Sequence, residues 1–139
     1  MKKAIAMILL LFVLGGCMAI PNSRFIYDND EQIVSEGDTY TYEDRLGTVE
    51  THKINLEFRG FYGTETVFSY TVPEAMVVNM DITVSKTVTK GRFKVVLIDP
   101  ENNITELDES LNIDMIEGKY RIKLVGEHAF GTVDINVDF

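Results

Sequence analysis

The chain is predicted to be all-β, folded as an antiparallel β-sandwich. Three observations carry that expectation: apolar residues recur with period two over most of the chain, turn residues separate the alternating runs, and no segment shows a period near 3.6. Ile54, Leu56 and Phe58 alternate with Asn55 and Glu57. Phe68-Ser69-Tyr70-Thr71-Val72 alternates again and stops at Pro73. Val78, Met80, Ile82 and Val84 form a third run, and Phe93 to Ile98 is almost continuously apolar up to Asp99-Pro100. Leu111, Ile113 and Met115, then Tyr120, Ile122 and Leu124, then Val133, Ile135 and Val137 complete the series. Strands with one apolar face must bury it against a second sheet or close into a barrel. Lys90-Gly91, Glu117-Gly118 and Gly131 are read as turns, because glycine tolerates positive φ.

Ahead of this domain the chain has a different character. Met1-Lys2-Lys3 is a positively charged start, Ala4 to Leu14 is an unbroken apolar run, and Gly15 and Gly16 are the small residues a signal peptidase requires. The apolar run is well short of the roughly 20 residues of a membrane-spanning helix. The single cysteine of the chain follows directly. Leu14-Gly15-Gly16-Cys17 resembles the lipobox of bacterial lipoproteins. The resemblance implies cleavage before Cys17, a diacylglyceryl group on its thiol, and no inner-membrane retention signal at Met18. It implies a bacterial cell-envelope protein held on the outer face of the plasma membrane or in the outer membrane, its membrane partner reached through the lipid on Cys17. Residues 1–16 are therefore set aside as signal peptide. With Cys17 acylated, the mature chain has no free thiol for a disulfide, a thiolate metal site or a cysteine nucleophile.

Charge bounds the partners. The full chain carries −9, and losing Lys2 and Lys3 with the leader takes the mature chain to −11. Nucleic acid is excluded as a partner on this ground, since its binders show a basic footprint. Eight acidic side chains lie between Tyr27 and Glu50, against Arg45 alone. Residues 17–50 are thus expected to be a lipidated acidic tether, with one peripheral strand at Thr39-Tyr40-Thr41-Tyr42. It serves either as a spacer or as an arm that recruits cations or a basic partner. The sandwich domain is expected over 51–139.

Within 64–139, three stretches carry a second resemblance: Phe68 to Pro73, Phe93 to Asn103, and Glu117-Gly118-Lys119-Tyr120-Arg121-Ile122. Together they resemble bacterial pre-peptidase C-terminal domains, jelly-roll sandwiches related in shape to carbohydrate-binding modules. The resemblance implies a jelly-roll-like fold and an accessory role. The usual Gly-Thr-Tyr-Tyr strand entry stands here as Gly118-Lys119-Tyr120-Arg121.

Catalytic grammar is thin: the chain has two histidines, His52 and His128, and lacks a nucleophile elbow, a phosphate loop and a His-Glu-x-x-His pair. No enzyme activity and no cofactor are expected. His128, after Gly126-Glu127, is read as a solvated loop residue. Asp99-Pro100-Glu101-Asn102-Asn103 is a strong turn string, and its oxygens are also the kind that bind calcium. Two binding surfaces are considered. Arg92, Lys94, Arg121 and Lys123 share the outward parity of two strands and form a basic stripe if those strands are neighbours. Phe58, Phe61 and Tyr62 form an aromatic run, read either as core or as a platform for sugar. The expected function is a non-enzymatic structural or protein-interaction module, with an envelope glycan or polymer as the alternative ligand.

Overall fold

The structure, a computed structural model, describes residues 22–139. The signal peptide 1–16 and Cys17 lie outside the described residues. A 3-10 turn, Asn22–Phe25, and a short helix α1, Asp30–Ile33, precede seven strands. These are β1 Thr39–Thr41, β2 Asp44–Val49, β3 Lys53–Val72, β4 Val78–Ile98, β5 Ile104–Glu106, β6 Ser110–Met115 and β7 Gly118–Asp138. All pairings are antiparallel and belong to one sheet. Its order is β1-β3-β7-β4-β5, with β2 also on β3 and β6 also on β4.

Three strands of 20 or 21 residues organise the molecule. Each runs through both layers of the fold. In the first layer, β2 and β6 flank the 53–59, 131–138 and 78–88 portions of β3, β7 and β4. In the second, β1 and β5 flank the 62–72, 118–126 and 92–98 portions. Between the layers the register slips at one level: between Phe58 and Gly63 on β3, and between Val88 and Arg92 on β4. Bulges bend and twist the strand that carries them, so a line of them folds the sheet over on itself. Gly91 shows what the bend demands: its φ is +74°, and a Cβ there would lie 2.0 Å from the His128 carbonyl oxygen. The expected sandwich is thus present, but Gly91 and Gly131 lie within continuous strands rather than in turns.

The two layers face each other across one core. Ile54, Leu56, Met80, Ile82, Val133 and Ile135 come from the first layer, and Phe68, Val95, Leu97, Ile122 and Leu124 from the second. Phe61 lies at the fold, fully buried, stacked on Tyr42 at 4.5 Å and flanked by Phe58 and Phe93. One edge of the sandwich is closed by Glu65, which accepts from the Tyr42 phenol at 3.1 Å and from Arg45 of β2 at 2.9 Å. Burial, reinforced by the Glu65 carboxylate, raises the pKa of the Tyr42 phenol, so it stays a donor.

A second, smaller cluster lies on the outer face of the second layer. Ile26 and Ile33 pack there against Val96, Ile98 and Val125. This explains the unbroken apolar run on β4: Phe93, Val95 and Leu97 face the central core while Val96 and Ile98 face the N-terminal segment. A strand buried on both faces reads as continuous apolar sequence. It also corrects the expected tether. Residues 26–38 are packed against the sheet, and 39–49 supply two strands rather than one.

Candidate interaction surfaces

The four cations of the expected stripe do share one face of neighbouring strands. The register sets Lys94 opposite Val125, Val96 opposite Lys123, and Ile98 opposite Arg121. The stripe is nevertheless covered, because the acidic segment before β1 lies over it. Arg121, 3% exposed, donates to the carbonyls of Ser35 at 2.9 Å and Val34 at 2.8 Å. Lys123 is fully buried; it donates to the Ser35 carbonyl at 2.7 Å and pairs with Asp38 at 3.3 Å. Asp38 in turn accepts from the backbone N–H and hydroxyl of Thr66, at 2.8 and 2.9 Å. Burial lowers the pKa of Lys123, and the Asp38 carboxylate opposes that shift. Lys119 reaches Glu36 at 3.1 Å, and that hydrogen bond holds the Glu36 carboxyl below its ordinary range.

The outer part of the stripe is used in the same way. Arg92 makes a two-pronged pair with Asp28, at 3.1 and 2.7 Å, and also bonds Glu127. Those hydrogen bonds raise the pKa of Arg92, and the bond from Arg92 lowers that of Asp28. Both Arg92 and Lys94 sit over the Tyr27 ring, at 4.1 and 4.4 Å. Opposite charge therefore draws the acidic segment onto its own domain. Parity located the stripe; the long-range pairing between residues 26–38 and β7 has no local signal.

The aromatic run divides at the fold. Phe58 and Phe61 are both core, 1% and 0% exposed, although strict alternation would set them on opposite faces. The bulge at Gly60, φ +61°, breaks the parity. Tyr62 is only partly buried and lies outside the core. There it stacks on His128, with ring centroids 5.5 Å apart and planes 18° apart. His128 meets Phe130 edge-on at 5.2 Å. Arg24 lies over the Tyr62 ring at 5.4 Å, and Lys90 over Phe130 at 5.0 Å. His128 is therefore no solvated loop residue; it is half-buried within β7 at φ 47°, where the bulge turns it outward. The spacing of His128 and Phe130 around the buried Ala129 is the signal that could have located this corner. Beside Phe130 opens a cleft of about 300 Å³, lined by Glu57, Arg59, Thr89 and Thr132 among others.

The Asp99 turn satisfies itself. The Asp99 carboxylate accepts from the backbone N–H of Glu101 at 2.9 Å, from that of Asn103 at 2.8 Å, and from the Asn103 amide at 2.9 Å. Asn102 takes the left-handed conformation, φ 62°. Partial burial pushes the Asp99 carboxyl up, but the Asn103 and Glu101 donors outweigh it and hold it below its ordinary value. Asp99→Ala is expected to cost about 1.5–3 kcal/mol, the scale of lost hydrogen bonds to a charged acceptor, read by urea denaturation. With the folded pKa depressed, this contribution is complete above the unfolded carboxyl's pKa and is lost as the pH falls through the folded one. The wild-type minus Asp99→Ala difference should therefore shrink on acidification. Among the described residues, no group of three or more His, Cys, Asp or Glu side chains is placed to hold a metal ion, and no helix is long and apolar enough to cross a membrane.

No family model matches the chain, and no curated protein matches it. Among solved structures it is similar to the periplasmic inhibitor of g-type lysozyme, PliG, from Aeromonas hydrophila, at 12% identity over 67% of this chain and 92% of that one, with a TM-score of 0.34. It is also similar to a cupin domain from Bordetella pertussis Tohama I, at 13% identity over 74% of this chain and 95% of that one, with a TM-score of 0.23. Both likenesses are too distant to bear on function.

Proposed function

We propose that this protein is a bacterial lipoprotein that presents its β-sandwich on the cell envelope as a non-enzymatic, protein-interacting module. The observation that carries the reading is Leu14-Gly15-Gly16-Cys17, the chain's single cysteine set at the end of a short apolar run behind two lysines. A diacylglyceryl group and further acylation bury many CH₂ groups, at about 0.8 kcal/mol each, which makes the attachment firm. The test is a pull-down from detergent-solubilised envelopes with tagged wild-type protein and a Cys17→Ala variant. A defined protein recovered in stoichiometric amount with the wild type, and lost with Cys17→Ala, is the expected result. Recovery of polysaccharide alone would replace this reading with that of an envelope-polymer-binding module.

A further inference from the structure

We propose that the corner formed by Arg24, Phe25, Tyr62, His128, Phe130 and Lys90 is a membrane-facing foot, which seats the domain on the headgroup layer beside its own lipid anchor. The inference rests on the lipoprotein reading of Cys17 and goes beyond it, from attachment to orientation.

Chain length places the corner. Asn22 stands five positions after Cys17, a stretch that reaches at most about 18 Å even when fully extended. The 3-10 turn that follows packs on β3, β1 and β7, and the Arg24 guanidinium lies on the Tyr62 ring. A lipid on Cys17 therefore holds the bend of the sandwich close to the bilayer. The opposite end, with Ile116 between β6 and β7, lies about ten strand residues away, roughly 30 Å at 3.3 Å per residue.

Chemistry fits the same occupant. Phe25 is 68% exposed, the most exposed large apolar side chain among the described residues. Tyr62, His128 and Phe130 give a contiguous ring surface with a cation at each end. Aromatic rings with polar edges, accompanied by snorkelling cations, favour the membrane–water interface. The mature chain as a whole carries −11, so an anionic leaflet repels most of its surface. Glu43 over Gly60, Glu57 in the cleft and Glu127, which bonds Arg92 beside His128, border the corner, while the charged side chains lying over its rings are the cations Arg24 and Lys90. Each such cation contributes attraction worth about fivefold in the docked-to-undocked ratio.

The chain contains no tryptophan, which permits a single reporter. Lipidated mature protein carrying Phe25→Trp is reconstituted into phosphatidylcholine–phosphatidylglycerol vesicles with brominated acyl chains. A second protein carries the reporter at the far end, as Ile116→Trp. Blue-shifted, bromine-quenched emission from position 25 and unquenched emission from 116 is the expected result. Adding Arg24→Glu and Lys90→Glu should reduce quenching at 25 while the protein stays in the vesicle fraction. Vesicle-bound protein with equal quenching at both positions, or none at either, overturns the foot and leaves the anchor standing. Protein absent from the vesicles overturns the anchor and the foot together. Loss of polysaccharide retention in the charge-reversal variant, with quenching unchanged, would assign the corner to glycan instead.

Discussion

Phe61→Ala is expected to destabilise the protein by about 3–5 kcal/mol, the range for removing a buried phenylalanine. Phe61 is fully buried where the sheet folds over, in contact with three rings: Tyr42 before β2, Phe58 earlier on its own strand in the first layer, and Phe93 of β4 in the second. Gly126 lies directly beneath it, where a Cβ would come within 2.4 Å of the ring. The backbone on that side is tied into the β3–β7 ladder, so little can collapse into the cavity. With a urea slope of about 1–3 kcal/mol/M, the unfolding midpoint should fall by about 1 M or more. A loss below about 1 kcal/mol would mean that the two layers do not meet through this ring.

The second large effect is expected at Asp38. Asp38→Asn leaves Lys123 fully buried among backbone carbonyls with no carboxylate paired to it, Glu36 acting only at longer range. Breaking a buried ion pair costs about 3–5 kcal/mol; the lower end applies, because Asp38 keeps 24% of its side chain exposed. The pH dependence separates this cause from simple loss of the Thr66 bonds. Burial sets the folded pKa of Lys123 below its unfolded value. Between those two values the unfolded state holds a proton that the folded state has released, so stability rises with pH there, and below the folded value this group contributes no slope. Removing Asp38 lowers the folded pKa further. The deficit of Asp38→Asn should therefore be largest near neutrality and shrink as the solution is made alkaline. A deficit constant from pH 7 to pH 10 would place the cost in the hydrogen bonds alone. Lys123→Met should abolish the slope.

The apolar alternation at Ile54–Phe58, Val78–Val84 and Val133–Val137 was legible because each run has one buried face and one wet one, the pattern a half-exposed strand imposes. What could not be read is that each of these runs continues into a second one, Phe68–Val72, Phe93–Ile98 and Tyr120–Leu124 respectively, as the other part of the same strand. Gly60, Gly91 and Gly131 look locally the same in a bulge as in a turn; the difference lies in whether the neighbouring strand continues beside them. The strand β2 was missed for a related reason: all six of its residues are exposed, so burial leaves no period to detect. The acidic segment misled in the opposite direction. Its composition is that of an extended chain, and what holds it down, Arg121 and Lys123, lies 86 and 88 residues beyond Ser35. Arg92, Lys94, Arg121 and Lys123 share one face by register, but Arg121 and Lys123 are buried there and the groups they meet belong to the chain itself. The corner of Tyr62, His128 and Phe130 depends on two bulges meeting in space, which one-dimensional parity cannot express.

The most direct test of the central reading is the intact mass of the protein extracted from bacterial envelopes, with the N-terminal peptide sequenced by fragmentation. A chain beginning at Cys17 and carrying a diacylglyceryl group on its sulfur is the predicted result, absent from Cys17→Ala. An unmodified mature chain, or one that retains residues 1–16, would contradict it.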